Sequence, residues 1–267
     1  MRQPPCLARL LTTAAMTAIL ASGLAGCKTA GMSDITGSLG ARAEAPADAD
    51  PARAAEVYGE RYRANPKDAD AALRYGQALR ANGQRAQAVS VFEQATLTNP
   101  GNRPLLAGYG RALADAGSFQ RAFDVLTTAH SPANPDWRIL SAQGAVLDQM
   151  GRHDEARRYY DSALKIRPEE PSVLSNLGLS YMLSKDLPQA EATLRRAQGR
   201  GNVDPRVRQN LGLVVGLQGR FGEAESIVRA DLPPDEAAAN VAYLKQMLSS
   251  KGQPRLGARD DDAPRRS

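Results

Sequence analysis

The sequence predicts an all-α fold, a solenoid of helical hairpins stacked at a fixed interval. Glycines stand at Gly76, Gly110, Gly144, Gly178 and Gly212, each 34 residues after the last. Alanines keep the same interval at Ala88, Ala122, Ala156, Ala190 and Ala224. The composition agrees: aromatics make up only 5% of the 267 residues and alanine is abundant, which favours helices over a β-sandwich or barrel.

Further phases define the unit. Ala95, Ala129, Ala163 and Ala197 share one, and a large apolar residue fills another at Phe92, Leu126, Tyr160, Leu194 and Val228. Small residues at the eighth and twentieth positions let helix A and helix B of one unit approach closely, while the large residue at the twenty-fourth fills the gap toward the next unit. Gly83, Gly117, Gly151 and Gly219 fall between the two helices, where a positive φ is sterically cheap for glycine; Lys185 takes that place in the fourth unit. Pro171 and Pro205 open their units, where a missing N–H costs nothing, and Pro66, Pro100 and Pro168 close helices. Leu106, Leu140 and Leu174 hold the fourth position, with Ala72 and Arg208 weaker there. Five repeats are read, at 69–102, 103–136, 137–170, 171–204 and 205–238. A half-repeat at 53–68 precedes them. The fifth loses its pattern after Val228, with Asp231 where alanine is expected, so the regular array is assigned to 69–233. Pro233-Pro234-Asp235 start a capping helix at 234–250, and 251–267 lacks any apolar period and is expected to be a disordered tail. One such hairpin cannot bury its apolar face alone, so stacking makes the core continuous.

The N-terminus reads as an export signal. Arg2 and Arg9 give a positive leader, and Leu10 to Leu24 is a mostly apolar run, shorter than the roughly 20 residues a spanning helix needs. It ends in Leu24-Ala25-Gly26-Cys27, which resembles a bacterial lipobox. The resemblance implies a signal peptide at 1–26, diacylglyceryl transfer to the Cys27 sulfur and acylation of the new amine. Lys28 follows, which by analogy with enterobacterial lipoprotein sorting points to the outer membrane. Residues 27–52 are rich in Gly, Ala, Ser, Thr, Pro and Asp and read as a flexible tether from lipid to folded body.

A helix–turn–helix unit of 34 residues with these phases resembles the tetratricopeptide repeat. In that family helix A lines the concave face through positions 2, 5, 6, 9, 12 and 13. Those positions are polar and mixed in the first three repeats, with Asp70, Gln77, Arg80, Arg111, Asp115, Arg138, Asp148 and Gln149. In the fourth and fifth they are apolar, with Leu179, Met182, Leu183, Leu213 and Leu217. Leu179, Met182 and Leu183 follow i, i+3, i+4 spacing and form one stripe. Two readings stand open: a face covered by the neighbouring repeat, cap or tail, or a hydrophobic groove for a partner helix or extended peptide. Asn176 and Asn210 sit at position 6, where the family's peptide-binding members use an amide to hold the ligand backbone. A structural amide bonding within the helix pair is the equal alternative.

Charge, cysteines and motifs narrow the function. The net charge of +5 falls to about +3 without the leader, too little to argue for nucleic acid. With Cys6 removed, Cys27 alone remains, which leaves no thiolate metal cluster and no intramolecular disulfide. The two histidines, His130 and His153, lie far apart in the array. Asp154 and Glu155 after His153 match helix N-terminal acids favoured by the dipole. The sequence holds no GxSxG, P-loop or HExxH motif. The reading is therefore of a non-enzymatic scaffold with no cofactor, no metal and no small-molecule substrate.

A closer resemblance covers about residues 53–250. The stretches ERYRANPKDADAALRYGQALRANGQRAQAV (60–89), PDWRILSAQGAVLDQMGRHDEARRYYDSALKI (135–166), PSVLSNLGLSYMLSKDLPQAEATLRRA (171–197) and DLPPDEAAANVAYLKQML (231–248) resemble the TadD family of tight-adherence (Flp) pilus assembly lipoproteins. The resemblance implies a part in exporting and assembling Flp pili, pilotin-like toward the outer-membrane secretin, with the groove holding a segment of another assembly component. The alternative is a general periplasmic adaptor lipoprotein for envelope or peptidoglycan-remodelling enzymes.

Overall fold

The fold rests on a computed structural model that describes residues 50–199 and 204–251. The leader, Cys27, most of the tether and the tail at 252–267 lie outside the described residues. Within them are twelve α-helices and no strand, so the all-α solenoid expected from the sequence is the observed fold. Helix α1 (Pro51–Ala64) begins two residues ahead of the boundary expected at 53, because Asp50 accepts a hydrogen bond from the Ala52 N–H and Pro51 supplies the first turn.

The period appears directly in the helix bounds. The A helices are α2 (Ala69–Ala81), α4 (Arg103–Asp115), α6 (Trp137–Gln149), α8 (Pro171–Leu183) and α10 (Pro205–Leu217), each 13 residues long. The B helices are α3 (Arg85–Thr98), α5 (Phe119–Ala129), α7 (His153–Ile166), α9 (Leu187–Gln198) and α11 (Phe221–Val228). Helix α12 (Pro234–Lys251) closes the array. Four A helices start on a side-chain cap, from Asp68, Asn102, Asp136 and Asp204. They end in a Schellman motif: in the first repeat Gln84 N–H bonds the Leu79 carbonyl at 2.9 Å and Gly83 N–H that of Arg80 at 3.1 Å. Gly83, Gly117, Gly151 and Gly219 hold φ between 74° and 84° at this turn, and Lys185 is forced to 66° in the fourth.

Helices A and B of one repeat meet where the glycine lies. A Cβ at Gly144 would stand 2.7 Å from the Tyr160 ring, one at Gly178 2.6 Å from Leu194, and one at Gly212 2.5 Å from Val228. The large residue also reaches the next repeat, as expected: the Phe92 ring would meet a Cβ on Gly76 at 2.5 Å and on Gly108 at 2.4 Å. A further buried phase lies at position 3, with Ala71, Leu105, Ile139, Val173 and Val207. It is buried more consistently than the fourth position, where Ala72, Leu140 and Leu174 are buried but Leu106 is half-buried.

Consecutive A helices pack directly on one another, from α2 on α4 through α8 on α10, and α12 continues that layer by packing on α10. Consecutive B helices stand further apart: Arg121 bridges to Glu93 at 3.3 Å between α5 and α3, Arg195 to Glu223 at 2.6 Å between α9 and α11, and the Phe123 and Tyr159 rings meet at 5.8 Å between α5 and α7. A closer-set A layer curves the stack toward itself, so the A helices line the concave face.

The fifth repeat departs from the pattern twice, and the departures compensate. Arg208 replaces the leucine at position 4 and Asp231 the alanine expected downstream. The Arg208 Nε donates to Asp231 Oδ2 at 2.6 Å, with a second short Nη2–Oδ1 contact. Asp231 is nearly buried, so an ion pair stands where apolar packing holds the other repeats.

Two outcomes follow from these turns and bridges. Lys185→Gly relieves a left-handed conformation that costs an L-residue roughly 1–2 kcal/mol and raises stability by about 1 kcal/mol, read from chemical denaturation. Glu191 accepts from Arg220, Gln218 and Arg195, and these bonds, led by that from Arg220, hold its carboxyl at about 2, below the ordinary value of 4.5. A depressed folded-state value adds stability above about pH 4.5 that is lost as pH falls toward 2. Glu191→Gln therefore lowers stability at neutral pH and flattens the acid limb over that interval, read as Tm against pH.

Candidate functional site

The concave face is built from every second helix, so each repeat contributes the same register positions. In repeats one to three this gives a charged floor. Arg80 on α2 donates through Nε to Asp115 on α4 at 2.6 Å, with both side chains largely buried. Arg111, one turn back on α4, gives its Nη2 hydrogen to the Arg138 carbonyl at 3.2 Å. Its Nε is sealed from solvent and has no acceptor among the described residues. Burial lowers the Arg111 pKa to about 10, helped by Arg80 and Arg138 and opposed by Asp136 and Asp115. The Arg138 guanidinium is half exposed, lies 4.6 Å over the Trp137 ring and sits 3.9 Å from Asp136. Arg111 and Arg138 are thus brought together at one point of the face.

The two asparagines have partners of their own. Asn176 Nδ2 donates to Ser141 Oγ at 3.2 Å, and Asn210 Nδ2 to Ser175 Oγ at 3.1 Å. Each bond joins position 6 of one A helix to position 5 of the A helix before it, and both serines are buried. The amides therefore stitch α6 to α8 and α8 to α10, between repeats rather than within a helix pair. The serine at position 5 ahead of asparagine at position 6, 35 residues on, was the sequence signal for this ladder.

The apolar end is narrower than its sequence spacing implies. Leu179 is buried, and Met182 packs with Tyr181 and Leu187 against the core that spans α9, α10, α11 and α12. Leu183 remains 43% exposed, and Leu213 and Leu217 are half-buried. The i, i+3, i+4 stripe is split because α8 turns its Leu179 and Met182 edge into the stack. Leu183, Leu213 and Leu217 are thus the apolar side chains of the predicted stripe positions that keep solvent exposure at this end.

A third cluster was not anticipated. Asp148 on α6 accepts from Ser180 Oγ at 2.8 Å and from Tyr160 Oη at 2.9 Å, and His153 Nδ1 lies 2.8 Å from its Oδ1. Burial raises the Asp148 pKa against the pull of these hydrogen bonds, and burial raises that of Tyr160 well above its usual value. Tyr160 and Ser180 are fully buried, so the network ties repeat three to repeat four internally. His153 is thus engaged by Asp148 rather than by Asp154, which pairs with Arg157. Among the described residues no group of three or more His, Cys, Asp or Glu side chains is placed to hold a metal ion. Within the same residues no helix is long and apolar enough to cross a membrane.

Residues 47–108 and 149–212 match the tetratricopeptide repeat family, and a second description of the same repeat matches 137–160. With the helix register above, this makes the chain a tetratricopeptide-repeat protein. The BBSome complex member BBS4 of Bos taurus is 28% identical over 124 residues, 46% of this chain and 24% of that protein. The cytochrome c-type biogenesis protein CycH of Bradyrhizobium diazoefficiens is 30% identical over 128 residues, 46% of this chain and 34% of that protein. The chain thus spans about a quarter to a third of the length of these relatives. Among solved structures, the type IV pilus biogenesis factor PilW superposes with TM-score 0.61 at 18% identity, covering 72% of this chain and 91% of that one. Cut9 with Hcn1 gives 0.61 at 16% identity, covering 76% and 41%. PilF of Pseudomonas aeruginosa gives 0.51 at 16% identity, covering 76% and 86%. At these identities the structural likeness is one of fold.

Removing either stitching amide tests the ladder. Asn176→Ala or Asn210→Ala strands a buried serine hydroxyl and costs about 1 kcal/mol, measured by urea denaturation. A groove amide free for ligand would instead leave stability unchanged.

Proposed function

We propose that this chain is a lipid-anchored scaffold for the assembly of Flp-type pili. The observation that carries this reading is the Leu24-Ala25-Gly26-Cys27 lipobox, followed after a short tether by a tetratricopeptide-repeat array whose sequence resembles the TadD lipoproteins. PilW, whose fold is similar, is a type IV pilus biogenesis factor. Cys27, acylated, anchors the chain at the periplasmic face of the bacterial outer membrane. Two or more acyl chains hold a protein at a bilayer almost irreversibly, at about 0.8 kcal/mol per buried CH₂. The concave face then binds a segment of a pilus assembly protein, the secretin in the first place, and acts without chemistry of its own. Confinement to one membrane raises the effective concentration of both partners, so modest intrinsic affinity suffices. Polar floor and apolar end divide the labour: Leu183, Leu213 and Leu217 supply burial, and the charged repeats supply orientation.

Two experiments test this reading. Cys27→Ala leaves the chain in the soluble or signal-retaining fraction and abolishes pilus assembly at normal protein level; fractionation with pilus-dependent adherence reads both. Leu183→Asp combined with Leu217→Asp reduces capture of the secretin by at least tenfold, while helicity by circular dichroism is retained. Normal pili in the Cys27→Ala strain contradict the anchor.

A further inference from the structure

The described array begins and ends on half a hairpin. Helix α1 carries Ala54 and Tyr58 in the phases of Ala88 and Phe92, so it is a B helix, and among the described residues no A helix precedes it. Helix α12 packs on α10 as an A helix, and among the same residues no B helix follows it. Burial sets the register of α12. The third, seventh and tenth positions are buried in all five A helices, in α10 as Val207, Leu211 and Val214, and α12 repeats that spacing with Ala237, Val241 and Leu244. Leu244 meets α10 directly, since a Cβ on Gly216 would lie 2.5 Å from it. Ala238 and Ala242 therefore hold the fourth and eighth positions, which the other A helices turn toward their own B helix. The eighth position is buried in all five of those helices, whereas Ala242 is exposed.

The free face of α12 differs from a solvent cap. Terminal repeats of a solenoid carry a polar outer face. Here Ala238, Ala239, Ala242 and Gln246 are exposed on successive turns and carry no charge. Helix α1 shows the matching gap. Its Ala54, Tyr58 and Arg61 hold positions 20, 24 and 27 and pass from buried through half-buried to exposed, although Ala95, Ala129, Ala163 and Ala197 are all buried at the last of these.

The charges at the two ends complement each other. In a hairpin the start of helix A lies beside the end of helix B, as the bond from Arg208 at position 4 to Asp231 at position 27 shows. The first turn of α12 carries Asp235 and Glu236, and the last turn of α1 carries Arg61 and Arg63. None of these four has an ion pair among the described residues. The flanking sequence fits neither gap: 252–267 holds one large apolar residue, Leu256, with prolines at 254 and 264, and 28–49 has no sustained apolar period.

We propose that copies of this chain associate head to tail, with α1 of one copy packing on α12 of the next as the B helix that α12 lacks. The eighth position of α12 then meets Ala54 and Tyr58 of the incoming helix, and Arg61 and Arg63 reach Asp235 and Glu236. No turn joins the two helices, so the Ala242 methyl is taken up by a slightly wider approach than within a repeat, and the contact is weaker than an intact hairpin. The interface is heterologous and leaves one free end of each kind, so association continues beyond two copies. It rests on neither the pilus reading nor the concave face.

The test uses the full-length chain at excess detergent, followed by sedimentation velocity over about 1–100 μM. The parent grows past the mass of two chains as concentration rises. Asp235→Arg with Glu236→Arg, or Arg61→Glu with Arg63→Glu, moves the midpoint of association upward at least tenfold while helicity is retained. An equimolar mixture of the two variants restores association, because each acidic end then finds a basic one. Copies carrying Ala242→Cys, mixed with copies carrying Ala54→Cys, form a disulfide dimer under mild oxidation that neither forms alone. A parent that stays a single chain across the range overturns the proposal, and α12 is then a solvent cap or the seat of another protein's helix. Association that the charge variants leave unchanged, or that their mixture fails to restore, overturns it too. So does a disulfide dimer of Ala242→Cys copies alone, which would mean two-fold pairing of α12 with itself.

Discussion

The contact between the eighth residue of helix A and the twenty-fourth of helix B is the constraint on which the solenoid depends. At Gly144 the Tyr160 ring occupies the space a Cβ would need. Interiors are packed at crystal density, so such a contact sets the distance between two helices to within a few tenths of an ångström. Repeated in every hairpin, it gives each unit the same thickness and the same angle to the next. Regular stacking follows, and with it a continuous inner layer of A helices.

Function depends on that regularity at one remove. Because every hairpin repeats the same geometry and consecutive A helices pack on one another, the same register positions face the same side in each repeat. Residues 35 apart in sequence become neighbours, as Asn176 and Ser141 do, and as Arg80 and Asp115 do. The inner face is therefore written by substitution at fixed positions without disturbing the stack. Arginine at position 9 of the second repeat and leucine at the same position of the fifth change what the surface holds while the phases that set the stack stay the same. The buried Asp148 network shows the opposite use of polarity: its hydroxyls and its carboxylate meet only one another and His153, and they lock adjacent repeats together.

Much of this was legible in the chain. A period of 34 with glycine, alanine and a large apolar residue at fixed offsets encodes the hairpin, its turn and its stack, because each phase answers one steric demand. The helix starts at 69, 103, 137, 171 and 205 fall on the first positions of the repeats. What sequence alone left open was pairing across repeats. The bonds from Asn176 to Ser141 and from Ser180 to Asp148 depend on which side chains the stacking of repeats brings together, and no local pattern carries that. The burial of Leu179 was hidden for a related reason: helical spacing defines a stripe, but the packing of the neighbour decides how much of it stays in water. Arg208 and Asp231 look like two flaws in the repeat and are one ion pair.

The most direct measurement is the stability of Gly144→Ala. In an ordinary helix interior, alanine in place of glycine gains about 1 kcal/mol. Here the added methyl meets a ring that is fully buried and whose hydroxyl is tied to Asp148, so the neighbour cannot yield. The close-approach account predicts a net loss of about 1–3 kcal/mol by urea denaturation, with a matching fall in Tm. A Gly144→Ala chain as stable as the parent or more so would mean that the two helices are not held together by the absent side chain, and the solenoid would need another explanation.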